Sequence, residues 1–255
     1  MAYEPVDTSA DIQHLITEDE TLVDNLPSEK QQRLLTEPLY SAWSGPGEGR
    51  TFLAAANVGI FAQVRNPAIV PDMFLSLDVE VAEDWWRKEH RSYFVWEFGK
   101  PPELVLEIVS NTEGNEDVEK KPKYARMRVD YYVIYDPLRQ VMSNVLTIYR
   151  RCDGVYERQE TARFPTLKLG LTLWEGTFEG KHDTWLRWTD EHGVLIPTGK
   201  ELAEQERLRA EQEYQRAEQE HQRAEHAEDL LIQEHQRAER LAALLRQAGI
   251  DPDQA

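Results

Sequence analysis

Between Pro102 and Ser110 the chain reads Pro-Glu-Leu-Val-Leu-Glu-Ile-Val-Ser, an apolar run broken by two carboxylates. Strand side chains alternate faces, so the pattern predicts a strand over Leu104–Val109. Glu103, Val105 and Glu107 then share one face, and Leu104, Leu106 and Ile108 the other. A second apolar run, Tyr131–Tyr135, stops at Asp136-Pro137. Between the two lie a polar loop, Asn111–Asn115, and a helix ending near Arg128. Strand, helix, strand in that order predicts one right-handed crossover within a mixed sheet.

Upstream, Pro27-Ser28-Glu29 reads as the capped start of a helix reaching about Tyr40. Ser44–Gly49 is rich in glycine and marks a turn. Thr51–Val64 mixes small and apolar residues without a clear period. Phe74–Val79 and Arg91–Phe98 read as strands, with a short helix over Val81–His90 between them. Downstream, Val145–Arg150, Tyr156–Gln159, Leu167–Leu173 and Thr184–Trp188 read as hairpin strands. Asp153-Gly154 and His192-Gly193 supply turn signals.

From about residue 199 the pattern changes to a seven-residue repeat. Ala210, Ala217, Ala224, Leu231, Ala238 and Leu245 recur at that spacing, and Ala-Glu-Gln-Glu-X-Gln-Arg repeats around them. These are strong helix formers with opposite charges close in sequence. With those residues as d positions, the a positions hold Arg207, Tyr214, His221, Glu228, His235 and Ala242. Two-stranded seams favour branched apolar side chains at a, so this seam is weak. A solvated single helix and a homodimer zipper both remain open. The chain accordingly divides into an extension over 1–28, a core domain over 29–198, a charged helix over 199–248 and a tail over 249–255.

The 255 residues leave room for one domain of ordinary size plus that appendage. The net charge of −18 argues against broad affinity for nucleic acid, because phosphate contacts rest on lysine and arginine. A local basic groove, or a site whose metal supplies the positive charge, is still compatible with it. Cys152 is alone, so no intrachain disulfide forms and the cytoplasm is the expected compartment. No run of about 18 apolar residues is present, so no membrane span is expected.

An ionised carboxylate inside an apolar strand is costly unless paired, and a metal ion is one common partner. Asp72, in Val70-Pro71-Asp72, closes one apolar segment just before the next. Asp72 and Glu107, with Glu103 as a further ligand, therefore suggest a metal-dependent site. Lys120 and Lys121 follow at the start of the next helix. Asn111, Glu113 and Asp117 lie in the intervening loop and are further candidates to touch metal or substrate. The histidines show no zinc spacing outside the tail, and no phosphate-binding glycine loop is evident.

Val70-Pro71-Asp72, then Glu103–Ser110, then a lysine-rich helix start, then Tyr124-Ala125-Arg126 and Val129–Pro137 form an ordered set. Over about residues 28–190 that set resembles the Uma-two family, classed with the restriction endonucleases of the PD-(D/E)XK nuclease superfamily. The resemblance implies an α/β, restriction-endonuclease-like fold: a mixed β-sheet core flanked by helices, here with a long charged C-terminal helix. It implies that Asp72 takes the Pro-Asp position and Glu107 the acidic position of the Glu-X-Lys element. Together they would hold Mg²⁺ or Mn²⁺, for which hard oxygen ligands are suited. Val109 stands where Glu-X-Lys places its lysine, and the resemblance implies Lys120 as substitute, with Lys121 next in line. Pro122 fits only the first helical turn, so the helix should begin near Lys120 or Lys121.

Two functions follow as expectations. The first is a magnesium-dependent endonuclease acting on DNA, with Asp72 and Glu107 on the metal and Lys120 or Lys121 beside the water. The second is a catalytically silent nuclease fold that binds or assembles, with the heptad helix as its oligomerisation element.

Overall fold

The structure, a computed structural model, describes residues 25–43, 45–47, 49–64, 66–110 and 119–247. The candidates Asn111, Glu113 and Asp117 lie outside the described residues. The chain divides into two units, one ending at Gly199 and one beginning at Lys200.

The first unit opens with α1 (Leu26–Ser41), β1 (Phe52–Ala55), β2 (Ile60–Phe61), β3 (Met73–Leu77) and β4 (Tyr93–Phe94). It continues with α2 (Val95–Phe98), β5 (Leu104–Ile108), α3 (Lys121–Met127) and β6 (Tyr131–Tyr135). It ends with β7 (Leu146–Cys152), β8 (Val155–Gln159), β9 (Arg163–Phe164), β10 (Leu169–Phe178) and β11 (Lys181–Asp190). Six strands form one mixed sheet in the order β1-β3-β5-β6-β7-β8, and β11-β10-β9 form a second sheet. β5 and β6 run parallel and adjacent, joined through α3, whereas β3 is antiparallel to β5 and β7 antiparallel to β6. β2 and β4 make a short parallel pair.

Alternation in the central strands divides the core. Leu104, Leu106, Ile108, Tyr131 and Val133 face one side, where Leu35 and Leu39 of α1 and Leu186 and Trp188 of β11 cover them. Val105, Tyr132 and Ile134 face the other, beneath Tyr124 and Met127 of α3. Every residue of β5 and β6 is buried, as expected of central parallel strands clad on both sides.

Helix α1 starts one residue before Pro27, because Asn25 caps it by accepting a hydrogen bond from the Ser28 N–H at 2.9 Å. Its buried face carries amides among the leucines. Gln31 donates to the Leu186 carbonyl at 2.8 Å and accepts from the Leu186 N–H at 3.0 Å. The Trp188 indole N–H donates to the Leu35 carbonyl at 2.7 Å. Gln31→Ala strips both Leu186 groups of these partners, each worth about 1–3 kcal/mol when stranded in the interior. We expect a loss of about 2–4 kcal/mol, read from the denaturant midpoint by tryptophan fluorescence.

Two expectations fail between β3 and β5. The helix expected over Val81–His90 is reduced to one 3₁₀ turn at Lys88–His90. The strand expected over Arg91–Phe98 shortens to Tyr93–Phe94 and becomes the single helical turn α2, ended by Gly99 at φ +74°. Gly99 tolerates that left-handed conformation without strain. The strands expected at Leu167–Leu173 and Thr184–Trp188 belong to a longer hairpin, with Leu169 opposite Asp190 and Phe178 opposite Lys181.

The second unit is the remainder of α4 (Gly199–Gln247), in which no residue is buried. Local side-chain pairs line it, such as the Arg207–Glu204 ion pair at 2.8 Å and the His221–Glu225 and His235–Glu239 contacts at 3.4 Å. Among the described residues no helix is long and apolar enough to cross a membrane.

Candidate active site

Strand pairing brings the two leading candidates together. Met73 pairs with Leu106 and Leu75 with Leu104, and one further step of that antiparallel register sets Asp72 opposite Glu107. Asp72 lies just ahead of β3, and its Oδ2 accepts a hydrogen bond from the Ile108 N–H at 2.6 Å. The Pro-Asp carboxylate is thereby tied to the strand that carries the glutamate.

Glu107 is 1% exposed. Its side chain shares the face of Val105, beneath α3. Tyr124 donates its hydroxyl to Oε1 at 2.8 Å, and the Lys120 ammonium lies 2.8 Å from Oε2. Lys120 and Tyr124 are four residues apart, so a helical turn aims both at one target. The helix begins where Pro122 requires: α3 starts at Lys121, and Lys120 already has helical angles, φ −75° and ψ −41°. The structure thus seats Lys120 on Glu107. The Lys121 ammonium lies over the Tyr149 ring, 3.7 Å from its centroid.

Burial pushes the Glu107 carboxyl up to about 8, with the Lys120 charge opposing the rise and Asp72 adding to it. A cation between the carboxylates would relieve both the burial and the repulsion. Among the described residues no three His, Cys, Asp or Glu side chains converge. Among the described residues Asp72 and Glu107 are the carboxylates that could face one cation, a set that would fit Mg²⁺, which keeps several waters and binds through one or two carboxylates plus phosphate.

The raised value has a consequence for the metal-free protein. The folded carboxyl holds its proton to about pH 8, whereas the unfolded one releases it near the ordinary value of 4.5. The folded state therefore binds more protons over that window, and stability falls as pH rises through it. Denaturant midpoints in EDTA should decline from pH 5 to pH 8, and a flat profile would contradict the buried, protonated Glu107.

The structure separates Glu103 from this pair. Glu103 precedes β5 by one residue, about 13 Å of strand from Glu107. Its Oε2 accepts from the Leu77 N–H at 2.9 Å, and Lys100 pairs with its other oxygen. It is a strand-end brace, because two positions four residues apart along an extended strand cannot bring their carboxylates to one ion.

Two partners were not anticipated. Gln32, buried on α1, donates to Asp72 Oδ1 at 3.1 Å. It also exchanges amide hydrogen bonds with Asn57, at 3.1 and 3.3 Å. Its signal was a glutamine on the helical face of Leu35 and Leu39, at spacings of three and seven. Tyr124 could have been found from its place four residues after Lys120.

A model of the Uma2 family, described as putative restriction endonuclease, matches residues 20–178. No curated protein and no solved structure gives a match. The matched span contains Asp72, Glu107, Lys120 and Tyr124, and the six-stranded mixed sheet with its flanking helices is the restriction-endonuclease-like arrangement. The chain belongs to the Uma2 family, whose description points to a nuclease.

Proposed function

We propose that the protein is a metal-dependent endonuclease that hydrolyses phosphodiester bonds in DNA. The observation that carries this reading is the buried Glu107, opposite Asp72 and bracketed by Lys120 and Tyr124. Asp72 and Glu107 would hold Mg²⁺ or Mn²⁺, which lowers the pKa of a bound water and stabilises charge on the phosphate. The remaining roles belong to side chains. Gln32 and the Ile108 N–H fix the Asp72 carboxylate, and Tyr124 fixes Glu107. Lys120, 31% exposed, keeps a cation at the mouth of the site, where charge develops on the phosphoryl oxygens.

The test is plasmid nicking by the purified protein with Mg²⁺ or Mn²⁺, alongside Asp72→Ala and Glu107→Ala. Cleavage that both substitutions abolish is the expected result. No cleavage by the wild type, or cleavage indifferent to both, would reject the reading.

One feature favours a second reading, a silent nuclease fold used for binding. Val109 is 1% exposed and occupies the place of the usual Glu-X-Lys lysine. Calorimetry separates the two, because a silent fold keeps its melting transition without measurable heat of Mg²⁺ or Mn²⁺ binding.

A further inference from the structure

From Lys120 to Arg128 the chain carries five basic residues among nine and no acidic one, although its net charge is −18. Two of the five serve the site and its surroundings, Lys120 on Glu107 and Lys121 over Tyr149. The others, Lys123, Arg126 and Arg128, are exposed. Arg126 donates to the Pro122 carbonyl, and among the described residues none of the three pairs with a carboxylate.

A further cation joins them from the sheet. α3 packs against β8, and Tyr149 pairs with Arg158 in the β7–β8 register. Directly opposed residues point to the same face. Tyr149 belongs to the core cluster beneath α3, so exposed Arg158 emerges on the α3 side of the sheet. On that side the Asp130 carboxylate is paired with Arg151 at 3.1 Å.

Lys123 and Arg126 are one helical turn apart, so their side chains are neighbours. They ride on the helix whose Lys120 and Tyr124 reach Glu107. Lone basic residues on an acidic protein are ordinary solvated charges. A group without carboxylate partners beside a carboxylate pair is complementary to a continuous line of phosphates.

We propose that the outer face of α3 with Arg158 is a phosphate-tracking surface, which seats a DNA backbone running past Asp72 and Glu107. The identity of the partner rests on the nuclease reading above. These contacts position the duplex without reading its sequence.

The test uses the full chain and a labelled duplex of about 20 base pairs, followed by anisotropy in EDTA from roughly 50 to 200 mM KCl. Each neutralised phosphate contributes about −0.9 to the slope of log affinity against log salt. Lys123→Ala/Arg126→Ala/Arg158→Ala should lower affinity at least tenfold and flatten that slope by about 2–3. Arg150→Ala/Arg163→Ala/Lys181→Ala removes the same charge elsewhere and should leave the slope unchanged. Circular dichroism and melting confirm that both variants are folded.

A slope equal to the wild type in the first variant, or an equal loss in the second, would overturn the surface. So would the absence of salt-dependent binding by the wild type. Cleavage distinguishes the two readings. Wild-type nicking with an unaltered slope rejects the surface and keeps the nuclease. Slope loss without any nicking keeps the surface and rejects the nuclease. With both intact, the first variant should raise KM and preserve kcat.

Discussion

Glu107→Gln should make the metal-free protein more stable at pH 8 while removing its Mg²⁺-dependent cleavage. The carboxyl is buried and pushed up to about 8, so near that pH the fold carries the cost of an internal negative charge. Glutamine keeps the shape and the acceptor for the Tyr124 hydroxyl while deleting the charge. Lys120 is partly exposed and can turn to water once its partner is neutral. We expect a gain of about 1–3 kcal/mol at pH 8, and a rise of about 2–4 °C in melting temperature per kcal/mol. The gain should vanish near pH 5, where the wild-type carboxyl is already protonated. Loss of a metal ligand should cost several kcal/mol of barrier, about a thousandfold in rate. A lower melting temperature for the glutamine variant at pH 8 would show that the carboxylate stabilises the fold. The site would then lack the strain that cation binding relieves.

Lys120→Met and Lys121→Met should part company by about two orders of magnitude. Lys120 touches Glu107 and stands where phosphoryl charge would develop, so its loss should cost about a hundredfold in kcat. Its charge also holds the Glu107 value down, so the same substitution should carry the fall of metal-free stability on to higher pH. Lys121 lies over the Tyr149 ring, a contact worth about 0.5–1 kcal/mol at an exposed site. Lys121→Met should leave kcat within a few fold and shift only the midpoint of unfolding. Equal losses of kcat in the two variants would refute the division of labour between them.

Glu107 was legible because an acid inside a fully apolar strand contradicts its own surroundings, and burial confirms the contradiction. β5, β6 and the onset of α3 were legible for related reasons: long apolar runs, and a proline that admits only the first helical turn. That Asp72 faces Glu107 was less legible, since it depends on an antiparallel register that no local pattern encodes. Gln32 is coupled to Asp72 across 40 residues, and nothing in its neighbourhood names that partner. The segment before β5 misled for another reason. Trp85 and Trp86 are 58% and 72% exposed, so they give a helix over Val81–His90 no apolar face to bury. Glu103 shares only a side of the strand with Glu107, and a shared side does not bring positions four residues apart to one ion.

The absence of buried residues along α4 bears on how any of these stabilities is measured. Within one chain, a helix of 49 residues with no buried residue is held by backbone bonds and local side-chain pairs, so as a solvated single helix it frays progressively instead of melting as a block. It also holds most of the helical residues in the described chain, against 16 in α1, 4 in α2 and 7 in α3. All seven tryptophans, by contrast, precede residue 189. Ellipticity at the helix minimum and indole fluorescence will therefore follow different events during heating. The first should give a broad decline that responds to salt, and the second a sharp transition belonging to the sheet. With α4 as a solvated single helix, the melting temperature depends on the signal followed, and the indole signal is the one that reports on the site.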